Sequence, residues 1–64
     1  MNNDFSLEAQ IEEVEREIEM RKRVYPRMIV ARSLKQGQAD YYVARMQAVH
    51  TTLTALLAKQ RAAA

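Results

Sequence analysis

The stretch from Leu7 to Met28, LEAQIEEVEREIEMRKRVYPRM, decides the fold. Leu7, Ile11, Val14, Ile18, Tyr25 and Met28 recur at alternating steps of four and three, the a/d seam of a coiled coil. Arg21 is the one residue that breaks this register. Glu, Arg, Lys, Met and Ala, all good helix formers, fill the remaining positions, and Asp4 or Ser6 stands where the first turn needs a cap. The spacing therefore predicts a helix from about Phe5 to Arg32. Pro26 lacks the N–H that would bond the carbonyl four residues back, so a kink is expected there. The seam resumes at Met28 in the same register, which favours one bent helix over two.

Beyond this helix, Ser33 to Gly37 interrupts the apolar period and holds the only glycine, so the chain reversal is expected at about 33–37. Ala39, Tyr42, Val43, Met46, Val49, His50, Leu53, Leu56 and Leu57 then form a second stripe, predicting a helix from about Gln36 to Arg61. That stripe is wider than a two-strand seam requires. Two helices of about 26 residues, each about 40 Å long, joined by a short turn make an all-α antiparallel hairpin and a single domain. Met20, Val24, Ile29 and Val30 widen the apolar arc of the first helix as well, and one hairpin cannot cover both arcs. A symmetric dimer forming a four-helix bundle is the expected solution, its core drawn from Leu7, Ile11, Val14, Ile18, Met28, Val43, Met46, Val49, Leu53 and Leu56.

Composition agrees with an assembly held by self-association. An isolated chain of this length buries only about 60% of its unfolded surface, and with no cysteine it has no disulfide to compensate. No apolar run approaches the roughly 18 residues of a membrane span, and the start Met1-Asn2-Asn3-Asp4 has no basic segment followed by an apolar one. The expectation is a soluble cytoplasmic chain. Charge is divided unevenly: seven acids and one base lie between Asp4 and Glu19, six bases and no acid between Arg21 and Lys35. That order complements the helix macrodipole, and Glu12/Arg16, Glu17/Arg21 and Glu19/Arg23 stand at the favourable i,i+4 spacing.

The residues argue against catalysis. Cysteine is absent, Ser6 and Ser33 fall at helix ends, and His50 is the sole imidazole, without a second histidine to share a metal. No carboxylate stands within a helical turn of His50, which reads as a core or interface histidine. Gly37 alone makes no phosphate-cradling loop. No cofactor or metal is expected. Two binding readings remain. Arg23, Tyr25, Arg27, Arg32 and Tyr41 are candidates for a protein-binding surface, since exposed Tyr and Arg dominate interfaces. Alternatively the basic stretch 21–35, with Tyr25 available for stacking, serves a nucleic-acid-associated or purely structural dimer. Tyr41 and Tyr42 beside Arg45 form a further aromatic and basic patch near the turn, with Tyr42 on the core stripe and Tyr41 pointing outward.

The run Met20-Arg21-Lys22-Arg23-Val24-Tyr25-Pro26-Arg27, followed by Leu34, Ala39-Asp40 and Met46-Gln47-Ala48-Val49, resembles a family of small phage- and prophage-encoded helical proteins of mostly unassigned function. The resemblance covers roughly residues 8 to 57. Where that pattern carries a glycine and a helix cap, this chain has Arg32 and Lys35. The resemblance implies a phage accessory protein in the cytoplasm of an infected or lysogenic host. Such a protein would act by binding and disabling a bacterial host protein: a regulator, a motility component or a defence factor.

Overall fold

The computed structural model describes residues 4–64, and two helices account for most of them: α1, Leu7–Val30, and α2, Gln36–Ala63. Met1, Asn2 and Asn3, on which the reading of the chain start partly rested, lie outside the described residues. Ser6 is the N-cap of α1: its hydroxyl accepts from the Ala9 N–H at 3.1 Å and so satisfies one of the donors a helix start leaves free. Glu8 in the first turn and Arg27 in the last complement the macrodipole. The helix runs unbroken through Pro26. Apolar residues continue in one register on both sides of the proline, so both halves pack against the same neighbour.

The reversal lies at residues 31–35, earlier than the glycine suggested. α1 ends in a Schellman arrangement: the Ser33 N–H donates to the Met28 carbonyl at 2.9 Å and the Arg32 N–H to the Ile29 carbonyl at 3.0 Å. This geometry requires a left-handed residue, and Arg32 supplies it with φ of 62°. The Ser33 hydroxyl adds a bond to the Met28 carbonyl at 3.2 Å. Gly37, by contrast, has no positive φ and sits inside the first turn of α2, where an added Cβ would meet nothing within 4 Å. Glycine is thus not the turning residue; a strained arginine is.

Lys35 is the N-cap of α2, in extended conformation. Its N–H donates to Gln38 Oε1 at 3.0 Å. The reciprocal half of a capping box is chemically closed to it, because an ammonium group only donates.

The helices run antiparallel with few buried residues between them: Ile18, 9% exposed, and Ala39, 4% exposed, are the only buried apolar residues among those described. Leu7, Ile11, Val14, Tyr25 and Met28 of α1 and Val43, Met46, Leu53 and Leu57 of α2 are half-buried along the seam. Polar contacts fix the register at three levels. Near the open end Arg61 stands 3.6 Å from Glu8; at mid-length His50 Nε2 lies 2.8 Å from Glu15 Oε2; toward the turn Arg21 donates to the Tyr42 carbonyl at 3.2 Å. Arg21, the one break in the α1 seam, is therefore a cross-helix tie, and its Nε also donates to Glu17 at 2.8 Å. Arg16 turns to Glu13 rather than to Glu12. The hairpin measures 48 × 23 × 11 Å over its Cα atoms, and no helix among the described residues is long and apolar enough to cross a membrane.

Candidate interaction face

α2 carries two overlapping heptad seams. Ala39, Val43, Met46, His50, Leu53 and Leu57 follow steps of four and three and face α1. Tyr42, Met46, Val49, Leu53 and Leu56 follow the same steps on a line rotated to one side. The first seam is buried or half-buried throughout. The second is left partly open along its outer edge: Tyr42, Val49 and Leu56 are 37%, 44% and 46% exposed. On α1, Met20 and Val24 lie on the same side and are also exposed. Thus five of the eight large apolar side chains left exposed among the described residues share one face of the hairpin; Phe5, Val30 and Tyr41 are the others. The breadth of the α2 stripe has a structural meaning, since half of it serves α1 and half is left open.

Aromatic and basic groups border this face at its turn end. The Tyr25 and Tyr42 rings stand 6.4 Å apart at 60°, Tyr42 and Tyr41 6.1 Å apart at 57°, and the Arg45 guanidinium lies 5.3 Å above the Tyr41 ring. Tilted rings at these separations attract through their quadrupoles, and the stacked guanidinium adds a cation–π contact. Tyr42, expected to point into the core, instead bridges an inner and an outer ring and keeps part of its own surface open. Arg21, Tyr42, Arg45, Met46 and Val49 line a shallow hollow of about 480 Å³ between them.

The opposite face carries two further hollows. Near the turn a hollow of about 520 Å³ has a floor including Tyr25, Ile29, Ala39 and Val43, with Lys22 and Asp40 on its borders. Asp40 accepts from Gln36 Nε2 at 2.9 Å. Farther along, Glu15, Glu19, Gln47, His50 and Thr51 surround a second depression. The described residues hold no group of three His, Cys, Asp or Glu side chains able to grip a metal ion.

The residues singled out for partner binding do not form one surface. Tyr25 is half-buried against Tyr42. Two residues along a helix is a rotation of about 160° the short way round, so Arg23 and Arg27 both lie on the side of α1 away from Tyr25. They are exposed, as are Arg32 at the turn and Tyr41 on the outside of α2. Two pairings escaped the sequence reading, Arg21 with the Tyr42 carbonyl and Glu15 with His50. His50 has no carboxylate within a helical turn on α2, and α1 supplies one in Glu15.

No family model matches this chain, and neither a curated protein nor a solved structure shows significant similarity to it.

Proposed function

We propose that this chain is a helical-hairpin interaction module that works by presenting helix faces to other proteins, first of all to a second copy of itself in a four-helix bundle. One observation carries the reading: the outer edge of a second heptad seam on α2, Tyr42, Val49 and Leu56, flanked by Met20 and Val24 of α1, stays open, while among the described residues the buried apolar ones are only Ile18 and Ala39. A face of about 48 × 23 Å offers on the order of 1,000 Å² per partner, the size at which specific protein pairs become stable. Self-association also supplies the burial that a chain of this length lacks alone.

Within such a bundle Arg23, Arg27 and Arg32 stay outward, and among the described residues none of their side chains has an ion-pair or hydrogen-bond partner. The arginine row of α1 and, on a separate side, the Tyr41–Arg45 stack of α2 are the two surfaces the assembly would offer to a further protein. A bacterial host protein as that target rests on the sequence resemblance alone.

The test has two parts. Val49→Glu with Leu56→Glu places charges in the open seam without touching Ile18 or Ala39, and should leave helical circular dichroism but halve the mass in solution. Arg23→Ala with Arg27→Ala and Tyr41→Ala should leave the mass unchanged and abolish capture of a protein from nuclease-treated bacterial lysate. Capture that disappears with nuclease in the unmodified chain would instead assign the arginine row to phosphate binding, whose strength falls as a power of salt concentration.

A further inference from the structure

The geometry points to a dimer in which the two hairpins run in opposite directions, the turn of one lying over the open end of the other. This orientation rests on the self-association proposed above and adds to it which ends meet. Charge is the first argument. The open half of the hairpin, residues 4–19 and 50–64, carries seven carboxylates and three cations, a net charge of −4; the turn half, residues 20–49, carries seven cations and one carboxylate, a net charge of +6. Each hairpin is therefore a long electric dipole, and its helices hold that dipole along the 48 Å axis.

Two hairpins stacked through the open seam bring helix axes to about 8–10 Å, about one Debye length at physiological salt. Side-by-side turns would set +6 against +6. Reversal sets +6 against −4 at both ends, because a two-fold axis across the hairpins repeats each contact. In that arrangement α1 packs on α1 of the other copy; the Glu15–His50 contact sets Val49 level with about Arg16, so the stretch holding Glu8 and Glu12 lies along the basic run Arg21 to Arg27 of the other copy.

The spacing of the open seam is compatible with the same axis. Tyr42, Val49 and Leu56 are seven residues apart and symmetric about Val49. Reversing one copy places Val49 on the axis and Tyr42 of each copy beside Leu56 of the other, a large ring against a branched aliphatic chain. The charge pattern also restricts what else can occupy the face: a partner must carry acid where this chain carries base, and a second, reversed copy does.

The absence of cysteine makes the test direct, since a single introduced thiol is the only labelling site. Gly37 suits it, because it sits at the turn end and a side chain there meets nothing within 4 Å. Gly37→Cys carrying a nitroxide, measured by pulsed dipolar spectroscopy at micromolar concentration, should report a label separation of about 35–40 Å, roughly the length of α1 at 1.5 Å per residue. A separation below about 20 Å would overturn the orientation while leaving the dimer standing. Absence of any dipolar coupling in a sample of single-chain mass would overturn the self-association and the orientation together. In the unlabelled protein, raising salt should weaken association several-fold under this arrangement; association that tightens with salt would overturn it.

Discussion

Replacing Arg32 by glycine isolates the strain in the turn. Arg32 holds φ of 62° with a Cβ present, a conformation costing an L-residue about 1–2 kcal/mol. Glycine removes that cost but gains freedom in the unfolded chain, which returns about 0.5–1 kcal/mol. Because the Arg32 side chain has no bonding partner among the described residues, nothing else is lost, and the net expectation is a gain of about 0.5–1 kcal/mol. For a domain of this size that corresponds to a rise in Tm of about 2–8 °C. The assay is thermal unfolding followed by circular dichroism at one fixed protein concentration, since association makes Tm depend on concentration. Arg32→Ala is the control: it removes the charge but keeps the Cβ, and should shift Tm by less than half as much. A fall in Tm for Arg32→Gly, or an equal rise for Arg32→Ala, would show that the left-handed residue is not where the strain lies.

Other substitutions probe neighbouring parts of the account by the same unfolding assay. Lys35→Asp provides the N-cap acceptor that an ammonium cannot and places a negative charge at the helix start, so stability should rise by about 1 kcal/mol; no gain would mean that α2 does not begin at residue 36. Ile18→Ala empties the one large buried position among the described residues and should cost about 2–4 kcal/mol; a loss under about 1 kcal/mol would place the core elsewhere. His50→Leu completes the inner α2 seam with an aliphatic residue, while Glu15, 58% exposed in its side chain, remains solvated without its partner. Since a part-exposed pair contributes no more than about 1 kcal/mol, stability should hold or rise; a marked loss would make the Glu15–His50 contact a principal tie of the hairpin.

The helices themselves were legible in the sequence, because a four-three apolar rhythm has one structural meaning over 22 residues from Leu7 to Met28. The turn was less so. Glycine usually marks the left-handed position after a helix, yet here Gly37 is an ordinary helical residue and Arg32 takes the strained geometry, because the hydrogen bonds of Ser33 and Arg32 to α1 carbonyls hold it there. Periodicity showed that α2 has a wide apolar face, but not how that face is divided. Met46 and Leu53 belong to both seams, and only the placement of α1 tells which side of them is covered. The surface assigned to Arg23, Tyr25, Arg27, Arg32 and Tyr41 dissolved for a related reason: neighbours in sequence point to different sides of a helix, so Tyr25 meets Tyr42 while the arginines flanking it face away. Arg21 and His50 looked like polar interruptions of apolar seams. Their partners, the Tyr42 carbonyl and Glu15, lie 21 and 35 residues away, beyond what any local pattern reports.

The open second seam is the centre of the account, and the molar mass of the unmodified protein in solution tests it most directly. Light scattering across micromolar concentrations should give twice the 7.4 kDa chain mass, falling toward the single-chain value only on dilution. A mass of one chain throughout, with helical circular dichroism intact, would contradict it.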